Sequence, residues 1–125
     1  MSTPPLLAIV DDDLAVREAL LDLLEVEGLG ARAFESAAAL LAEPDRCAFD
    51  CIVTDLRMPE IDGLELQRIL RARGSPVPVI FITSSDDGLA RERALSLGAW
   101  AWFTKPVATE ALLQAVRSAT EHPEI

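Results

Sequence analysis

Five short apolar runs alternate along the chain with segments whose apolar residues recur at helical spacing, and this alternation constrains the fold more than any other feature. Leu6 to Val10, Ala31 to Phe34, Cys51 to Thr54, Val77 to Thr83 and Ala99 to Phe103 all have strand length. Val77 to Thr83 is nearly unbroken apolar sequence, as in a central parallel strand covered on both faces. Between the runs, Leu14, Ala15, Ala19, Leu20, Leu23, Leu24 and Val26 mark a helix that Gly28-Leu29-Gly30 closes. Ser36 caps a short helix through Leu40 and Leu41, ended by Pro44. Gly63 leads into a helix carrying Leu64, Leu66, Ile69 and Leu70, which Gly74-Ser75-Pro76 stops. Two more helices are expected, from about Leu89 to Leu97 and from Thr109 to about Glu121, the last with Leu112, Leu113 and Val116 facing inward. The spacing predicts an α/β fold: one doubly wound domain over residues 1–125 with a parallel five-stranded sheet.

Four of these runs end in residues that carry chemistry. Leu6 to Val10 runs into Asp11-Asp12-Asp13, Cys51 to Thr54 into Asp55, Val77 to Thr83 ends on a hydroxyl, and Ala99 to Phe103 is followed by Thr104-Lys105-Pro106. A single aspartate after a strand is most simply a turn or capping residue. In a parallel sheet, however, all these ends lie on one edge, where ligands of open α/β sheets bind. Clustered carboxylates repel one another unless a cation sits among them, which makes a hard, oxygen-seeking metal the expected ligand. Lys105 is the chain's only lysine among eleven basic residues. Compositional bias toward arginine accounts for that, and so does a narrow pocket that accepts a compact ammonium but not a planar guanidinium.

The charge balance narrows the partners. Twenty-one acidic residues against eleven basic ones give a formal net charge of −10, which disfavours direct contact with a nucleic-acid backbone. The apolar runs fall far short of the ~20 residues needed to span a bilayer, and Met1-Ser2-Thr3-Pro4-Pro5 has no signal-peptide pattern. Of the two cysteines, Cys47 and Cys51, the second lies in an expected buried strand, so a reduced, cytoplasmic setting is expected.

With these residues in place, the chain resembles a response-regulator receiver domain, the phospho-acceptor module of two-component signalling, over essentially its full length. The resemblance rests on Asp11 and Asp12, on Asp55 with Met58-Pro59 and Gly63, on Thr83, and on Lys105-Pro106. The wording Val53-Thr54-Asp55-Leu56-Arg57-Met58-Pro59 is most similar to the FixJ type, whose members join a receiver to a C-terminal DNA-binding domain. It implies a flavodoxin-like (βα)5 fold and a phospho-acceptor rather than an enzyme. Asp55 would take a phosphoryl group from a sensor histidine kinase, with small acyl phosphates as substitute donors. Mg²⁺ would be held by Asp12, Asp55 and the backbone carbonyl of Arg57, with Asp11 assisting through metal-bound water.

The resemblance further implies that Lys105 and Thr83 hold the phosphoryl oxygens and that Trp102 is the aromatic switch. Plain packing of Trp100 and Trp102 against helices is the alternative. Lys105-Pro106 is expected to be a cis peptide, and Arg57, Ser85 and Asp86-Asp87 to rim the pocket. Phosphorylation would alter partner binding or drive homodimerisation. Ala108 stands where an acidic cap is common in the family, so a weakly capped last helix is expected. His122 reads as a solvated residue, and the tail from Glu121 to Ile125 as a terminus or the start of a linker.

Two other classes share parts of this pattern. A haloacid-dehalogenase-like phosphatase also uses an aspartate nucleophile, Mg²⁺, a hydroxyl and a lysine, but its nucleophile follows the first strand and Asp55-x-x-Met58-Pro59 would go unexplained. A receiver-shaped interaction module would need no phosphorylation, and a stand-alone regulator no attached output domain.

Overall fold

Five parallel strands form one sheet in the order β2-β1-β3-β4-β5. In the computed structural model these are β1 (Leu6–Val10), β2 (Gly30–Phe34), β3 (Cys51–Thr54), β4 (Val79–Thr83) and β5 (Ala101–Thr104). Five helices connect and follow them: α1 (Leu14–Val26), α2 (Ala37–Leu41), α3 (Gly63–Ala72), α4 (Gly88–Ser96) and α5 (Thr109–Thr120). This is the flavodoxin-like arrangement expected from the alternation. The structure describes residues 4–44, 48–84 and 87–121, so Cys47, Ser85, Asp86, His122 and the two chain ends lie outside the described residues. Among the described residues, no helix is long and apolar enough to cross a membrane.

The period of two along each strand divides the core into two layers. Ala8, Val10, Ile52 and Phe81 face α2, α3 and α4. Leu7, Ile9, Cys51, Val53, Ile80 and Ile82 meet Leu24 of α1 and Leu112, Leu113 and Val116 of α5 on the other side. Burying each such Leu, Ile or Val contributes about 1.5–3 kcal/mol, so the central strands are the best-anchored part of the fold. Burial also pushes the Cys51 thiol up to about 12, with the neighbouring Asp50 carboxylate adding to the rise.

Several element edges differ from expectation for identifiable reasons. β4 begins at Val79 rather than Val77. Proline has no amide hydrogen to donate to a ladder, and the carbonyl of Val77 is taken by the Arg71 guanidinium at 2.9 Å. β5 begins at Ala101 rather than Ala99, because the Ala99 amide still donates to Ala94 O (2.9 Å) in the motif that closes α4 around Gly98, φ +85°. In α1, Leu14 and Val26 are exposed, and the helix turns Leu20, Leu21, Leu23 and Leu24 inward instead. Gln67 on α3 is fully buried although it is polar: its amide nitrogen donates to Ala94 O of α4 (3.1 Å) and to Leu97 O just past the end of that helix (3.3 Å).

Side-chain caps start four of the helices, from Asp13, Ser36, Asp62 and Asp87. Ala108 gives α5 none, as its sequence suggested. Ala108→Ser is therefore expected to stabilise the protein by about 1 kcal/mol, read as a rise in the urea midpoint at unchanged slope.

Candidate functional site

The ends of β1, β3, β4 and β5 meet at one edge because their registers are aligned: Val10 pairs with Thr54, Thr54 with Phe81, and Thr83 with Thr104. Each chemical residue follows directly from one of these positions. The Asp11 amide donates to Phe34 O at 3.1 Å and the Asp55 amide to Val10 O at 3.0 Å, so the ladder itself fixes both backbones. The Lys105 amide donates to Thr83 O at 2.7 Å, fixing the fourth corner.

The three acids after β1 have separate tasks. Asp13 caps α1, accepting from the Ala15 amide at 2.9 Å. Asp11 is buried and accepts from the Asp13 amide at 2.9 Å, while its carbonyl takes the Arg17 guanidinium at 2.8 Å. Asp12 is exposed. Carboxylate oxygens of Asp11, Asp12 and Asp55 all lie within 4.8 Å of one another. A donor set of oxygens alone, with one acid open to solvent, fits a small hard divalent cation that keeps part of its water shell.

Lys105 stands over this cluster. Its ammonium lies 3.5 Å from Asp11 Oδ2 and 3.7 Å from Asp55 Oδ2. Burial pushes the Asp55 carboxyl above the ordinary aspartate range; Lys105 pulls it back, Asp11 adds to the rise, and the amides of Arg57 and Leu56 favour the anion. Desolvation leads these effects, so an added cation would relieve an anion the fold holds at a cost.

Thr83 is fully buried at the end of β4. Trp102 packs against Phe81, ring centroids 5.3 Å apart, on the layer that faces α4, and its indole N–H is buried without a partner. The structure thus brings Asp11, Asp12, Asp55 and Lys105 together and keeps Trp102 within the core layer. Trp100 precedes β5 and is about half exposed, so the two indoles do not share a strand. The Lys105-Pro106 peptide is cis.

The loop after Asp55 adds two features that the residue pattern did not disclose. Gly63 approaches so closely that a Cβ there would lie 2.4 Å from the Asp55 carbonyl oxygen and 3.0 Å from the Phe81 ring. Arg57 donates its amide to Asp55 Oδ1 at 3.4 Å and its guanidinium to Asp87 Oδ2 at 2.6 Å. The capping bond from Ala90 and the Arg57 charge together hold the Asp87 carboxyl below its usual range. A basic residue two positions after Asp55 was visible in the sequence, but its partner thirty positions on was not.

Comparison with known proteins agrees with this geometry. The sequence matches the response regulator receiver domain over residues 7–117. It is 43% identical over 111 residues to the response regulator protein TodT of Pseudomonas putida, covering 89% of this chain and 49% of TodT. It is 35% identical over 124 residues to the transcriptional regulatory protein FixJ of Bradyrhizobium diazoefficiens, covering 99% of this chain and 60% of FixJ. The chain thus spans about half the length of TodT and under two thirds of that FixJ. Among solved structures, FixJ-N superposes with a TM-score of 0.87 at 33% identity, covering 99% of each chain. The chain therefore belongs to the response regulator receiver family, whose members are phospho-acceptors rather than catalytic enzymes.

Proposed function

We propose that this domain accepts a phosphoryl group on Asp55 from a phosphohistidine of a sensor kinase, in a Mg²⁺-dependent reaction, and thereby alters which partners it binds. The observation that carries this reading is the Lys105 ammonium poised between Asp11 and Asp55 above a three-carboxylate cluster. In the transfer, the nitrogen–phosphorus bond of the donor breaks as a bond forms from phosphorus to an Asp55 carboxylate oxygen. Such transfers require in-line positioning and charge stabilisation on the phosphoryl oxygens more than covalent work by the protein. Lys105 and Thr83 are the groups assigned to those oxygens. Asp12, Asp55 and the Arg57 carbonyl would hold Mg²⁺, with Asp11 supporting them. When bound, the metal screens the anionic acceptor from the anionic donor.

Trp102 is assigned the switch: its unpartnered N–H marks a side chain whose present seat leaves a buried polar atom unsatisfied. The relatives' greater length and the name of FixJ as a transcriptional regulator support an attached DNA-binding output; homodimerisation on phosphorylation and a cytoplasmic location belong to the same proposal. A stand-alone regulator that acts through its own surface is the alternative. The family assignment speaks against the phosphatase.

The test is tryptophan fluorescence during titration with Mg²⁺ and then beryllofluoride, an aspartyl-phosphate mimic, comparing the parent with Asp55→Asn. Saturable responses to both are expected in the parent, with the mimic's response abolished in the variant. Equal binding of the mimic by the variant would remove Asp55 from the acceptor role; no response to either ligand would favour a phosphorylation-independent module.

A further inference from the structure

Helix α4 is attached to the domain with little apolar surface. It buries Ala90 and Ala94, while Leu89 and Leu95 are exposed, so polar bonds at its two ends carry much of its attachment. At its C-terminal end α3 clamps it. Gln67 donates to Ala94 O and Leu97 O, and Arg71 Nε donates to Leu97 O at 2.9 Å while its Nη1 ties down Ser75 O (3.0 Å) and Val77 O (2.9 Å). At its N-terminal end the attachment is different in kind. Asp87 spends Oδ1 on the Ala90 amide at 3.1 Å and Oδ2 on Arg57, a charged pair at the surface.

Resting on the reading of Asp55 as the phosphoryl acceptor, we propose that Arg57 is a positioning residue that ties the first turn of α4 to the acceptor loop, and that it leaves Asp87 for the phosphoryl group on Asp55. α4 then swings about its clamp on α3. Arg57 is suited to the exchange because its amide already contacts Asp55 Oδ1 and its half-exposed side chain is free to re-aim. A phosphoryl group offers nearly two negative charges and three acceptor oxygens, against one charge on a carboxylate already engaged with an amide. A surface ion pair is weak enough to be given up for it. The α3 clamp consists of five side-chain bonds to backbone carbonyls, buried or partly buried, and those carbonyls carry no positive charge that would draw them to a phosphoryl group.

Amide hydrogen exchange along α4 tests this, in the parent, in Arg57→Gln, and in Asp87→Asn, which keeps a capping oxygen but removes the charge. Each protein is measured with Mg²⁺ alone and with Mg²⁺ plus beryllofluoride. In the parent, the mimic is expected to speed exchange at Ala90 and Arg91 roughly two- to fivefold, the range a surface ion pair commands, and to leave Gly98 and Ala99 unchanged. Both variants are expected to show the faster rate without the mimic and no further gain with it. The proposal fails if the variants exchange like the parent in Mg²⁺ alone, or if the mimic speeds them by the same factor as the parent. Should the mimic not bind the parent at all, the phosphoryl reading of Asp55 is what fails, and the comparison in Mg²⁺ alone still decides whether Arg57 restrains α4.

Discussion

Gly63→Ala is expected to destabilise the domain by about 3 kcal/mol, at the upper end of what overpacking costs. The added methyl would meet a backbone oxygen, that of Asp55, at 2.4 Å and the Phe81 ring at 3.0 Å. A flexible side chain could turn away; a carbonyl at the end of a buried strand cannot move without taking Asp55 with it. The Gly63 amide also donates to Leu56 O at 2.9 Å, so shifting α3 outward breaks that bond. Stability should therefore fall together with Mg²⁺ affinity. Urea denaturation and a Mg²⁺ titration of the same protein read the two effects, and a variant with full stability and parental Mg²⁺ binding would show that the loop relaxes freely.

Lys105→Met should have the second-largest effect, a destabilisation whose size depends on pH. Removing one partner of a buried ion pair costs about 3–5 kcal/mol. Lys105 retains a quarter of its side-chain exposure, so solvent screening reduces the expected loss to about 1–2 kcal/mol at neutral pH. The folded-state pKa of Asp55 is already raised, and it loses its main opposing influence in the variant. A carboxyl with a raised folded pKa binds more protons folded than unfolded, so its penalty is full above the folded pKa. The penalty disappears as pH falls toward the unfolded value of about 4. The gap between parent and variant should thus narrow on acidification. At neutral pH it should also narrow in excess Mg²⁺: without the ammonium beside Asp11 and Asp55 the cation binds the variant more tightly than the parent, and each tenfold in relative affinity closes the gap by about 1.4 kcal/mol at saturating metal. Thermal unfolding at several pH values, with and without Mg²⁺, checks both; a deficit that ignores pH and metal would mean that Lys105 acts by packing alone.

The acidic site was legible in the sequence because its residues sit at the ends of apolar runs, and parallel pairing places such ends side by side whatever the helices between them do. Asp11, Asp55, Thr83 and Lys105 needed no knowledge of loop geometry. Gln67 was not legible: it occupies a polar position on an amphipathic helix, and its burial is offset by Ala94 O and Leu97 O, which accept from its amide nitrogen while Oε1 is left without a partner. The Arg57–Asp87 pair was half legible: both residues were expected at the rim of the pocket, but nothing in the sequence joined one to the other. Val77 misled for the opposite reason, being apolar enough for a strand while the proline beside it cannot donate to one.

Cys51 gives the domain a built-in clock. A thiol in the central layer of the sheet, with its ionisation pushed up to about 12, is almost wholly unreactive at neutral pH while β3 stays paired. In a Cys47→Ser background, the rate at which an alkylating reagent captures Cys51 would count the openings of β3 itself. That strand carries Asp55 at its end, so the same count measures how often Asp55 loses its footing, and how far a cation added to the carboxylate cluster slows that loss.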